Sequence, residues 1–152
     1  MKRMKRALIG LAVGAVAALG VVGLAACGGN TTTLEGEYQY TAWNTNYGVK
    51  VEVTVNKDDN TIEKVEIVES DYVQCTESWE DRNIYVNGEA ELLAAYEGIS
   101  VDDVLAMTVT LDKDGIPTAV SESDLLITGA TQSSGRLLKA VQDALADYES
   151  AE

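Results

Sequence analysis

The sequence predicts an α+β fold, a single small domain in which an antiparallel sheet packs against helices. Three observations predict it. Val49, Val51, Val53 and Val55 alternate strictly with Lys50, Glu52 and Thr54, the pattern of a strand with one buried face. Strand-like segments flank it across polar turns too short for a crossover helix, so neighbouring strands must run antiparallel. Towards the end, Leu137, Val141, Leu145 and Tyr148 recur at spacings of four, four and three, which marks one face of a helix.

Taken in order, Gly36 to Trp43 sets Tyr38, Tyr40 and Ala42 on one face at period two and predicts the first strand. Asn44-Thr45-Asn46-Tyr47-Gly48 reads as a turn, Val49 to Val55 as the second strand, and Asn56 to Asn60 as a polar turn. Thr61 to Glu69 is the third strand, with Ile62 and Val68 out of phase with Val65 and Ile67. A bulge or a change of face accounts for that slip. Ser70 to Asn87 is irregular and acidic. Glu89 to Tyr96 predicts a helix closed by Gly98, and Ser100 an N-cap with Asp102 and Asp103 in the first turn behind it. Thr108 to Leu111 and Ile116 to Val120 predict a hairpin around Asp112-Lys113-Asp114-Gly115.

Ahead of this domain stands a leader. Lys2, Arg3, Lys5 and Arg6 precede an uncharged run from Ala7 to Ala26, which is long enough to span a membrane but weakly hydrophobic, being rich in Ala with four glycines. It ends in Leu24-Ala25-Ala26-Cys27, which resembles the lipobox of bacterial lipoprotein signal peptides. The resemblance implies that residues 1–26 are removed, that Cys27 is lipidated, and that the protein sits on the extracytoplasmic face of the cell membrane. An uncleaved anchor and an ordinary secretory peptide are the alternatives. Residues 27–35 then form a short lipidated tether and 36–150 the domain. With Cys27 acylated, Cys75 has no partner within the chain; a small buried apolar residue is its expected role, with an intermolecular disulfide the alternative.

Composition removes whole classes of function. The formal net charge of the 152 residues is −14; the leader holds four cations and no anion, so the rest carries −18. Nucleic-acid binding and adhesion to anionic lipid through a basic face are excluded by sign. There is no histidine, which removes the commonest general base and most zinc sites, and two cysteines cannot build a cluster or a haem attachment. Any electron traffic therefore needs a bound organic cofactor.

Thr128-Gly129-Ala130-Thr131-Gln132-Ser133-Ser134-Gly135 joins hydroxyls to small residues just ahead of the last helix. Small residues let a ligand approach the backbone, and leading helical N–H groups favour an anion. On residue types alone, a plain helix start with spare Ser and Thr caps explains it more simply. The lysine and spacing of a P-loop are missing.

This segment, with the Leu137 to Leu145 helix behind it, resembles the end of the FMN-binding domain family, which includes the flavinylated subunits of the sodium-pumping NADH:quinone reductase and the Rnf complex. Gly36-Glu37-Tyr38, Asn46-Tyr47-Gly48 and Ile62 to Val68 agree with its front half, so the similarity spans about 110 residues. The resemblance implies FMN esterified through its phosphate to Thr131 by a magnesium-dependent flavin transferase that uses FAD as donor. It further implies that Thr128, Gly129 and Ala130 belong to the recognition element and that Ser133 and Ser134 flank the phosphate. The family's acidic residue six positions before the modified threonine is replaced by Leu125, with Asp124 one position earlier. The Glu-Thr-Pro-Gly segment of some large relatives gives way to Asp71 to Glu80.

All aromatics here are Tyr or Trp, and Tyr47 and Trp79 are the candidates for packing on the flavin ring, with ordinary packing the simpler role for each. Arg136 and Lys139 are the cations nearest the site and would offset phosphate charge. The expected function is an electron carrier rather than a turnover enzyme, placed between a membrane-side donor and an exported redox acceptor. The alternatives are a flavin-free lipoprotein that binds a partner, and the same fold holding FMN reversibly.

Overall fold

The computed structural model of the chain describes residues 30–42, 44–70 and 80–148, and for 80–85 the backbone alone. The leader, Cys27, Cys75 and Trp79 lie outside the described residues, so the expectations placed on them are not addressed by it. Three strands, β1 (Thr31–Ala42), β2 (Thr45–Asn56) and β3 (Thr61–Ser70), form an antiparallel meander in the order β1-β2-β3. After it come α1 (Glu80–Ala95), α2 (Val101–Ala106), a hairpin of β4 (Val109–Leu111) and β5 (Pro117–Val120), a 3-10 turn at Ser123–Leu125, and α3 (Thr131–Leu145). The α+β architecture read from the sequence is the one observed.

The core is the valine face of β2 lying under α3. Val49, Val51, Val53 and Val55 are buried against Leu137, Leu138, Val141, Ala144 and Leu145. The slip in β3 has a concrete form. Val55 pairs with Ile62 and Val53 with Val65, so Glu63 is an extra residue on the β3 side, and Val68 is a second one between Ile67 and Glu69. The first bulge returns Ile62 and Val65 to the same buried face, while the second leaves Val68 60% exposed.

Three boundaries differ from expectation. β1 starts at Thr31, so residues 31–35 of the expected tether are strand: Thr31, Thr32 and Thr33 pair with Asn56, Val55 and Thr54. The twelve-residue β2 offers a full ladder, and threonine suits a pleated surface. Asn46-Tyr47-Gly48 is likewise strand rather than turn, with Tyr40 opposite Tyr47; the reversal is made tighter, with Asn44 at φ 59°. α1 begins at Glu80, well before Glu89, inside the segment read as irregular.

Contacts between distant segments set how α3 lies. Ala140 and Ala144 sit over Gly36 so closely that a Cβ there would run into the helix backbone. The Lys139 ammonium lies 5.9 Å from the centre of the Tyr38 ring. Asp143 accepts a hydrogen bond from the Glu37 backbone N–H at 2.9 Å, which occupies a donor on the outer edge of β1. At the other end Tyr148 donates to Asn60 in the β2–β3 turn at 2.8 Å. α3 thus runs antiparallel to β1, and its N-terminus lies at the β1–β2 hairpin end. The Gln142 amide donates to the carbonyls of Val104 and Met107, both at 2.9 Å, closing the C-terminus of α2. Ser100 caps the start of α2 by accepting from Asp103 N–H at 3.1 Å, as the sequence predicts.

Two features work against stability. On the open face of the sheet Glu52 stands directly between Glu35 and Glu66, a row of like charges. Glu52→Lys turns both repulsions into attractions and is expected to raise the urea midpoint by the equivalent of roughly 0.5–1 kcal/mol, with an unchanged slope. In the core, the Tyr96 hydroxyl is buried with no hydrogen-bond partner, and burial pushes its pKa above the ordinary tyrosine value. Tyr96→Phe removes the stranded hydroxyl and is expected to stabilise by about 1 kcal/mol. Below pH ~10 both states of the wild type hold this proton. Above it only the unfolded state loses the proton, so stability falls with rising pH, and the phenylalanine variant, compared by urea titration, is expected to fall less steeply.

Candidate functional site

The Thr128–Gly135 segment forms the loop and first turn that open α3. Leu125, the last residue of the 3-10 turn, is buried and anchors the loop from one side. Ile127 packs towards α1, its Cδ1 only 2.9 Å from where a Cβ on Gly88 would lie. Thr128 and Gly129 are exposed, and Gly129 adopts φ 87°, a left-handed conformation that costs a side-chain-bearing residue more than glycine. The chain then turns inward at Ala130, whose N–H donates to Ile127 O at 2.9 Å.

Ala130 is the N-cap of α3, and no side chain caps the helix. Ser and Thr are abundant here, and either is worth about 1 kcal/mol over alanine as a cap. The chain does not use them so. Ala130 is buried, and the first intrahelical bond runs from Ser134 N–H to Ala130 O at 3.0 Å. Thr131 follows as the first helical residue, half-buried, at the positive end of the α3 dipole.

The two serines expected beside the phosphate are placed inside the protein. Ser133 is 2% exposed and Ser134 fully buried. The Ser134 hydroxyl accepts from Ile127 N–H at 3.1 Å and so ties the loop to the helix behind it. Their burial follows from Gly135, where a Cβ would lie 2.6 Å from Pro117 Cβ; the missing side chain lets the first turn of α3 sit directly on the β4–β5 hairpin. Gly135 is a packing glycine.

The cations divide. Arg136 is 1% exposed on the buried side of α3, one turn after Gln132, whereas Lys139 is half-buried over Tyr38. A fully buried guanidinium is unusual on a domain this acidic. Gln132, which the sequence did not single out, has its Oε1 buried without a hydrogen-bond partner. No spacing rule would have found it, because its significance lies in burial.

Asp124 is exposed, and the 3-10 turn sends its neighbour Leu125 into the core. Tyr47 does not offer an open ring face: it is 7% exposed, stacked on Tyr40 with ring centres 5.3 Å apart, and clustered with Ala42 and Ile116. β-pairing opposite Tyr40 draws this candidate for the flavin ring into a small second core. It does stand at the hairpin end of the sheet, towards which the N-terminus of α3 points.

Two surface depressions lie elsewhere, one of ≈ 190 Å³ beside Glu37, Lys50 and Glu69, the other of ≈ 390 Å³ between β3 and α1. Among the described residues no group of three His, Cys, Asp or Glu is placed to hold a metal, and no helix is long and apolar enough to cross a membrane. Compared with protein-family models, with curated proteins and with solved structures, the chain matches none.

Proposed function

We propose that this chain is a membrane-anchored, extracytoplasmic electron carrier with FMN attached through a phosphoester to Thr131. The observation that carries the reading is the start of α3. A plain helix start among so many hydroxyls would be capped by one of them, yet Ala130 holds the cap position and leaves the dipole end to Thr131.

The residues present fit the phosphate and ribityl end of such a group. Thr131 supplies the hydroxyl at the first helical position. Gly129 lets the backbone pass close to an anion without a side chain in the way. Arg136 places a buried positive charge one turn behind Gln132, which offsets a phosphodiester in a domain whose own charge would repel it. The buried Oε1 of Gln132 is an acceptor in want of a donor, and the ribityl chain carries hydroxyl donors. Ser134 holds the loop in shape from beneath. When bound, the flavin supplies the electron chemistry that the chain, without histidine or a metal-ligating cluster among its described residues, does not supply itself.

A covalent link also suits the setting, because an exported chain that carries −18 after its leader would lose a freely dissociating dianion to a dilute exterior. Maturation joins Thr131 Oγ1 to the FMN phosphorus of FAD, releasing AMP and the hydroxyl proton, and requires a flavin transferase. Lipid on Cys27 would keep the carrier near a membrane-side donor and an exported acceptor.

The test is extraction. Chain produced with a flavin transferase is expected to keep its yellow fluorescence through SDS and acid. Complete release of flavin by either treatment would mean reversible binding, and a colourless native protein would leave a flavin-free binding lipoprotein.

A further inference from the structure

A second feature, independent of the flavin reading, lies on the far side of the sheet edge. The ≈ 390 Å³ groove between β3 and α1 is lined by Val65, Ile67, Ala90, Leu93 and Ala94 below, and by Lys64, Glu66, Glu89 and Glu97 above. Ala90 and Ala94 leave the room, and Leu93 and Ile67 give it an apolar floor. The charges on its two walls differ. On the β3 wall Lys64 is taken up by Glu66 at 2.6 Å. On the α1 wall Glu89 and Glu97 flank Leu93, and among the described lining residues the one cation is Lys64, already paired.

We propose that this groove docks a protein segment in which lysines or arginines flank an apolar side chain. The apolar side chain would fill the space over Leu93 and Ile67, and the cations would meet Glu89 and Glu97. The remaining classes of occupant fit the charge badly. A second copy of a chain that carries −18 after its leader is repelled, as is an anionic lipid surface. The groove's carboxylates are not grouped to hold a metal. Glu89 adds support: burial alone raises its pKa, so a partner's cation at that carboxylate would relieve the cost. Strand addition along β3 is the weaker mode, since bulges at Glu63 and Val68 break its outer edge.

The probe is a fluorescein-labelled peptide, Lys-Leu-Lys-Lys-Leu-Lys, titrated by anisotropy into the full chain in non-ionic detergent, beside its Glu-Leu-Glu-Glu-Leu-Glu counterpart. The basic peptide is expected to bind and the acidic one not. Glu89→Gln with Glu97→Gln is expected to weaken binding about tenfold. Glu35→Gln with Glu52→Gln removes the same charge from the open sheet face and is expected to change it less than about twofold. Leu93→Ala, whose fold is checked by circular dichroism, is expected to weaken binding as well. Equal losses in the two double variants, indifference to Leu93, or no binding of the basic peptide overturns the proposal.

Discussion

Chain carrying Thr131→Val, matured beside a flavin transferase, is expected to emerge folded and without covalent flavin. Valine matches threonine in shape and differs in the hydroxyl, so at a half-buried first helical position it should shift stability by less than about 1 kcal/mol. Attachment is all or none with respect to that hydroxyl: without Oγ1 there is no oxygen to carry the ester. Fluorescence that survives SDS should fall to background, while far-ultraviolet dichroism and the urea midpoint stay near those of the wild type. Thr131→Ser restores the hydroxyl and is expected to restore part of the label. Thr128→Val is the informative neighbour, because Thr128 is exposed in the same loop and offers a competing hydroxyl. It is expected to retain the label. Flavin that persists in Thr131→Val and vanishes in Thr128→Val would move the attachment point.

The second large effect concerns Gly36. A Cβ at this position would run into the carbonyl oxygen of Ala140 and the backbone nitrogen and Cα of Ala144. All three are backbone atoms and cannot swing aside as a flexible side chain would. Accommodating even a methyl group means lifting α3 from β1, and with it Leu137, Val141 and Leu145 from the valine face of β2. Gly36→Ala is therefore expected to cost about 3 kcal/mol or more, the upper end of overpacking, which is a large part of the stability of a small domain. Gly98→Ala is the control. Gly98 has φ 82° with nothing within 4 Å of its Cβ position, so alanine there meets only backbone strain of about 1–2 kcal/mol. Urea midpoints measure both. A cost at Gly36 no larger than that at Gly98 would mean that the helix does not approach the strand this closely.

Much of the fold was legible because alternation leaves a mark that turns do not blur. The β2 valines announced a one-faced strand, and the broken phase between Ile62 and Val65 announced a bulge or a change of face, of which the structure has the bulge. What was not legible has physical causes. Asn46-Tyr47-Gly48 has the composition of a turn, but Tyr47 finds Tyr40 across the strand pair, and that stack outweighs local preference. The start of α1 carries no apolar period to read, and among its described side chains the buried one, Leu92, comes near its end. Within the site, the sequence placed Thr131 at the mouth of a helix, and it is there. The inward turn of Ser133 and Ser134 depends on Gly135 docking against Pro117, a contact between residues far apart in the chain. The buried oxygen of Gln132 is likewise a property of packing, and no local pattern encodes it.

The central claim concerns one oxygen atom. The most direct measurement is mass spectrometry of the proteolytic peptide spanning Thr131, taken from chain purified from membranes of cells that hold a flavin transferase. The account predicts a peptide heavier by one FMN less one water, with fragmentation placing the addition on Thr131. A peptide of unmodified mass from the same membranes would contradict it.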